Sequence, residues 1–470
     1  QWGDVRVTFD IFDGVRDYTD ANNYVGVHDF VDIFICSIGA HLFNTVNRCS
    51  ACPFKPEDNE DGYAIFDCPM RHDNHPIYTP MSHVADTRLH ILIRGGKGSG
   101  KNVLIDLFLR EGTGLLYNTN SVLNVIDAQH RQPGFPTDIG PNSITEAGMF
   151  GSVDEEGDIT GRPLARDMCG GFLGFEEFSS VTDASKKEHS MDMKNQLLTS
   201  TDSGRVNKRM RSGIVRYSTL YTIWAGTQPG RFELESGLDR RFFIIDIEMT
   251  PDKERAFKQS QVLNSNMTSA HRAKMARINM ELREWFVKRL MDTVTTPPKG
   301  IRFDSSLEEW LMRSDVRSHE ADLFRRLAIG YHMMQPTWAK DTTLEITVDD
   351  RLEKLLNTSL RMRRNVMDAD VQLIKQTYWN TALTRSTLLK EVSRMITMGD
   401  YQGAKRWVED NLKGQRWYEE YRPDKGGRGR RGVMVRIGPP APREHTEMNW
   451  GNEDEQTSEK KTGTGIENEA

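Results

Sequence analysis

The segment LHILIRGGKGSGKNVLIDLFL, residues 89–109, constrains this chain more than any other: an apolar run, a glycine-rich turn and an amphipathic stretch follow without a gap. Apolar residues before the turn predict a buried strand, and the spacing after it predicts a helix. A turn of Gly95, Gly96, Lys97, Gly98, Ser99 and Gly100 lets backbone N–H groups curl around an anion, aided by the partial positive charge of the helix N-terminus. Lys101 adds a full charge for the β and γ phosphates of a nucleotide such as ATP. At Asn102 a phosphate loop usually carries a Ser or Thr hydroxyl for Mg²⁺; the amide oxygen is also a hard-cation ligand. A plain glycine turn is the competing reading.

From Leu89 to about Glu248, short apolar runs alternate with helical segments, which predicts an α/β class with a mainly parallel sheet flanked by helices. The expected core strands are Leu89–Ile93, Leu115–Asn118, Gly171–Phe175, Tyr221–Ala225 and Phe242–Ile247. Phosphate-transfer chemistry needs carboxylates at the end of a neighbouring strand, and Glu176 and Glu177 follow the third run directly. In that role Glu176 holds Mg²⁺, usually through water, and Glu177 polarises the attacking water. A solvated strand end is the plain alternative. Thr227 and Gln228 end the fourth run with polar groups able to orient water, and Arg240 and Arg241 stand just before the fifth. An arginine there can reach a γ-phosphate held by an adjacent subunit, which argues for a ring or a dimer; a surface arginine pair is the alternative.

The 470 residues allow about three domains by length. The reading divides them into a helical lead-in with a cysteine-rich insert over 1–87, a nucleotide-binding core over 88–250, and a helical lid over 251–370. A small unit over 371–438 carries two helical patterns and a β-hairpin, and a polar, acidic tail over 439–470 is expected to be disordered. No apolar run is long enough to span a bilayer and no secretory signal opens the chain, which predicts a cytoplasmic or nuclear protein with no membrane partner. The first residue is Gln1, which reads as a fragment lacking its natural N-terminal portion. A formal charge of −6 gives no global field for a polyanion, so any nucleic-acid contact has to be local.

Five cysteines at uneven spacing suggest no disulfide framework. Cys49 and Cys52 form one Cys-x-x-Cys pair, and Cys68 and His72 follow, with His75 close behind as an alternative fourth ligand. Two ligands on a knuckle and two on a later turn suit tetrahedral, structural Zn²⁺ in a stretch short of core residues; free thiols are the alternative.

Taken in order, these segments resemble the minichromosome maintenance (MCM) helicases, hexameric AAA+ ring motors of DNA replication. The likeness runs from about His28 to Met334 and includes residues 87–93 leading into the turn, 142–148, 165–178, 212–215, and Arg241 with Phe242. It implies an AAA+ fold with a helical lid and a winged-helix-like C-terminal unit. It also implies Lys101 as the phosphate lysine, Glu176 and Glu177 as the Walker B pair, Thr227 at the first sensor position and Arg241 as the arginine finger. The family usually has Asn where Thr227 stands; its second sensor arginine falls on His319, with Arg317 or Arg325 as substitutes. The family's OB-fold collar is absent, so the cysteine-rich stretch is a separate insertion.

The resemblance further implies that residues 203–213 form the pre-sensor hairpin of the motor channel. Arg205, Lys208, Arg209 and Arg211 would there hold DNA phosphates without reading sequence; a basic surface loop is the alternative. An acidic segment, 150–161, stands where the family has its helix-2 insert. The expected function is therefore an ATP-driven DNA helicase or translocase working as a ring, with ATP and Mg²⁺ as cofactors and DNA as partner. Two rival readings are an AAA+ protein remodeller or enhancer-type activator, and a weakly hydrolysing nucleotide-binding initiator or scaffold.

Overall fold

The computed structural model describes residues 9–438 except 25, 51–85, 97, 118–134, 142–143, 157–158, 161–162, 179–180, 182–192, 212, 229–239, 248–250, 315, 319, 339–341, 398, 414–417 and 423–432. Helices α1 (Ile11–Ala21) and α2 (His28–Ser50) precede β1 (His90–Gly95) and α3 (Lys101–Leu109). Then follow β2 (Thr137–Ile139), α4 (Glu146–Phe150), β3 (Ser152–Val153), β4 (Ile159–Thr160), α5 (Leu164–Asp167), β5 (Phe172–Phe175) and α6 (Met193–Asp202). Strands β6 (Arg205–Arg209), β7 (Ile214–Ser218), β8 (Thr222–Thr227) and β9 (Phe242–Ile247) complete this part.

The central sheet has the order β2-β5-β8-β1-β9, all pairs parallel. Parallel strands are buried on both faces, which is why β1, β5 and β8 read as continuous apolar runs rather than alternating ones. One face carries Ile91, Ile93, Trp224 and Phe243 toward α2 and α3; the other carries Leu92, Phe175, Ala225 and Ile244 toward α6 and the β6–β7 hairpin. Trp224 anchors the first layer: its ring meets Phe34 at 4.8 Å, and its Nε1 donates to Ser37 Oγ at 2.9 Å.

Two features depart from the sequence reading. Leu115 and Leu116 form no strand but a turn folded back on α3, where their N–H groups take the Leu107 and Phe108 carbonyls at 2.9 and 2.8 Å. A helix end leaves such carbonyls without partners, and a short buried apolar run satisfies them as readily as it would a sheet. The sheet edge beside β5 is instead β2, a three-residue strand with two polar positions and no apolar run to announce it.

The stretch after residue 250, expected to be helical, is so with one exception. It comprises α7 (Pro251–Ser265), α8 (Ser269–Thr295), β10 (Gly300–Phe303), α9 (Ser305–Arg313), α10 (Ala321–Met334), β11 (Thr343–Ile346) and α11 (Asp350–Tyr378). Strands β10 and β11 pair in parallel, four residues each, too short for the sequence pattern to separate from the helices around them. α10 lies against α2 with backbone touching backbone: a methyl on Gly330 would land on the Cys36 carbonyl, and one on Gly39 on the Gly330 carbonyl. The resulting apolar core runs continuously from Ile11 through the sheet to Met362.

Beyond α11, β12 (Thr381–Thr384), α12 (Arg385–Met395), α13 (Tyr401–Asn411), β13 (Tyr418–Tyr421) and β14 (Met434–Ile437) form a small unit with its own apolar cluster. Its sheet is antiparallel in the order β12-β14-β13, and Thr384 caps α12 by accepting from Thr387 N–H. Residues 423–432, between the strands of the expected C-terminal hairpin, lie outside the described residues, as does the 439–470 tail. Among the described residues no helix is long and apolar enough to cross a membrane.

Candidate functional site

Parallel strands bring their C-terminal ends to one edge, where an open α/β sheet takes its ligands. That edge here carries Gly95 at the end of β1, Glu176 and Glu177 after β5, and Thr227 and Gln228 at the end of β8. β8 lies between β1 and β5, so the turn and the glutamates are two strands apart.

Gly226 marks the point where they meet. A methyl built onto it would stand 2.6 Å from the Glu176 carbonyl oxygen, 3.3 Å from Lys101 Cδ and 3.4 Å from Asn102 Oδ1. Only a residue without a side chain leaves room for the three to converge. The Phe178 N–H donates to the Gly226 carbonyl at 2.6 Å and holds the segment after the glutamates against β8. Gln228 Nε2 donates to Glu177 Oε2 at 3.1 Å, which fixes that carboxylate at the strand edge.

The turn itself is shaped for close approach. Gly98 and Gly100 have φ of 80° and 83°, a left-handed backbone that favours glycine. Gly100 opens α3 with no side-chain cap, whereas α9, α11, α12 and α13 are capped by Asp304, Asp349, Thr384 and Asp400. A helix start without a capping side chain leaves its donors for an anion. Lys97 of the predicted turn lies outside the described residues.

Two buried oxygens here, Ser99 Oγ and Asn102 Oδ1, have no hydrogen-bond partner among the described residues. Leaving such a group unpaired costs about 1–3 kcal/mol. An oxygen-seeking cation or its water would satisfy Asn102 Oδ1, so the residues present fit Mg²⁺ despite the missing hydroxyl. Thr227 is fully buried beside the loop, paired in register with Arg94 of β1.

Arg241 stands elsewhere. It precedes β9, whose first residue pairs with His90, so it lies at the N-terminal end of the sheet, six residues or about 20 Å along the strands from the level of Gly95. There it forms an ion pair with Asp202 at 3.0 Å. Within one chain Arg241 and the glycine turn are not brought together. The neighbourhood of α10 also lies at that end: Arg326 Nη1 donates to the Arg88 carbonyl at 2.7 Å, and Glu320 pairs with Arg363, which reaches the Phe242 carbonyl. Arg325 is engaged with Asp322 and stacked over Phe303, Arg317 is exposed, and His319 lies outside the described residues.

The basic segment forms the antiparallel hairpin β6–β7, with Arg205 opposite Ser218 and Arg209 opposite Ile214. Strand alternation sorts its basic residues. Val206, Val215 and Tyr217 face the core, while Arg205, Arg209 and Arg216 are exposed, with Arg211 exposed at the tip. Lys208 points inward and lies 2.6 Å from Glu146 of α4, both largely buried. Arg216 was missed by the sequence reading, although it follows from the same alternation: it pairs with Asn207, between Arg205 and Arg209. The hairpin is rooted at the N-terminal end of β1, where fully buried Arg88 pairs with Asp86 and donates to the Thr219 and Tyr221 carbonyls. The acidic segment 150–161 contains the short antiparallel pair β3–β4.

Of the proposed zinc ligands, Cys49 belongs to α2 with its side chain outside the described residues, as are Cys52, Cys68, His72 and His75 entirely. Among the described residues Cys36 and Cys169 are buried and in no disulfide, and no group of three or more His, Cys, Asp or Glu is arranged to hold a metal. The geometry stands alone as a guide to function, because no protein-family model and no curated protein matches this chain.

Proposed function

We propose that this chain is an ATP-hydrolysing motor of MCM-like AAA+ type that moves along DNA as part of a ring. The observation that carries the reading is the convergence of the Lys101 and Asn102 side chains and the Glu176 backbone carbonyl on Gly226, beside a Glu177 carboxylate oriented by Gln228. The turn N–H groups and Lys101 take the β and γ phosphates of ATP. Asn102 Oδ1 and Glu176 are the residues that would hold Mg²⁺, which when bound neutralises charge on the phosphate oxygens. Glu177 takes the proton as a water oxygen attacks the γ-phosphorus and the bond to the β–γ bridging oxygen breaks, leaving ADP and phosphate. Thr227 lines this edge and helps orient the water.

The distance of Arg241 from its own phosphate turn supports assembly, since only a second copy would bring such an arginine to a γ-phosphate. The exposed arginines of β6–β7 support a sequence-independent grip on a phosphate backbone. On this reading Arg209→Ala or Arg216→Ala weakens DNA binding and lowers the slope of log affinity against log salt by about one each. Lys208→Met does not lower that slope, because its charge is already engaged with Glu146; titrations of fluorescent DNA at several salt concentrations separate the two cases.

The decisive assay measures ATP turnover of the purified chain with and without DNA, together with strand displacement. Turnover that rises with DNA is the expected result. Calorimetry with no nucleotide uptake overturns the proposal, and turnover indifferent to DNA but raised by a protein client favours a remodeller instead.

A further inference from the structure

Arg94 is the last residue of β1 before the glycine turn opens at Gly95, and its side chain is only 7% exposed. In register it stands between Thr227 of β8 and Asp246 of β9. One arm lies 3.1 Å from Asp246, and the other lies 3.5 Å from Asp370 of α11. Seven residues earlier on the same helix, Arg363 bonds Glu320 at 2.5 Å and the Phe242 carbonyl at 3.2 Å. α11 is thus pinned along edge strand β9 at both ends of that strand. It then continues to Tyr378 and enters the C-terminal unit at Thr381.

We propose that Arg94 is a positioning residue for the phosphate turn, and that Asp370 couples it through α11 to the placement of the C-terminal unit. The guanidinium faces two carboxylates, one within the sheet and one on a helix that belongs to another part of the molecule. Burial raises the Asp370 carboxyl, Arg94 lowers it and Asp246 raises it further, so the three groups form one electrostatic unit. When α11 shifts, Arg94 shifts with it, and the turn begins at the very next residue. Linkage makes the effect mutual: whatever α11 does to nucleotide affinity, bound nucleotide does to α11.

The inference rests on reading residues 95–102 as a nucleotide site, and the test separates the two. Titration of a fluorescent ATP analogue into the full chain is expected to show Asp370→Asn binding about 3- to 10-fold more weakly, with Asp370→Glu restoring most of the affinity. Arg94→Lys keeps the charge but loses the two-armed fork, and is expected to weaken binding similarly. In hydrogen exchange, a non-hydrolysable ATP analogue slows the amides of 366–378 in the unaltered chain and not in Asp370→Asn. A purely structural role would lower the melting temperature without making that protection depend on nucleotide. An unaltered chain that takes up no nucleotide sinks the site and the coupling together. If it binds normally while Asp370→Asn and Arg94→Lys both stay within twofold, or α11 ignores the nucleotide, the coupling alone is wrong.

Discussion

Replacing Glu177 with glutamine is expected to lower ATP turnover by about 10²–10⁴-fold while leaving nucleotide bound. The amide keeps the size of the carboxylate beside Gln228 and still fits the strand edge, but it cannot accept a proton from water. Lys101→Ala should fail by a different route, losing affinity because the only full charge that reaches the Gly226 notch from α3 is gone. Stopped turnover with intact binding in the first variant and lost binding in the second is the joint signature, read by phosphate release and by calorimetry. A Glu177→Gln chain that turns over at the unaltered rate would remove that residue from the chemistry. The rival reading, a nucleotide-binding scaffold, is distinguished by the unaltered chain: its turnover would already be close to that of Glu177→Gln.

The second large effect concerns stability. Gly330→Ala is expected to cost about 3 kcal/mol or more, because the added methyl meets the Cys36 backbone carbonyl rather than a side chain that can rotate away. For a core that runs from Ile11 to Met362, about 350 residues at about 2.1 cal/mol/K each, that lowers the melting temperature by about 4 °C. Gly300→Ala is the control, since nothing lies within 4 Å of a methyl there. A thermal melt that leaves Gly330→Ala within a degree of the unaltered chain would show that α2 and α10 are not in backbone contact. The contact matters beyond stability. It fastens α10 to the layer that backs the glycine turn, through Phe34, Ser37 and Trp224.

Four of the five expected core strands lie where their apolar runs stand, because a parallel strand buried on both faces has a composition that little else shares. Leu115 and Leu116 met the same test and failed, since burial under a helix end demands the same side chains as burial in a sheet. β2 and the β10–β11 pair escaped notice for the opposite reason: three or four residues carry too few positions for a period to emerge. In the hairpin, alternation would have been enough to find Arg216, which the sequence reading missed, but only the fold could supply Glu146 as the partner that takes Lys208 out of the exposed set.

The chain's own residues determined the local pieces. A strand, a left-handed glycine turn and an uncapped helix start follow from conformational preferences that act between neighbours, and so do the paired glutamates at a strand end. Tertiary structure decided which pieces meet: β8 inserted between β1 and β5, the Gly226 notch, the remoteness of Arg241 and the grip of Asp370 on Arg94. Those contacts join residues tens to hundreds apart in the chain. Periodicity describes which face a residue turns to the interior; only the packing of the whole sheet between its helices selects what it finds there.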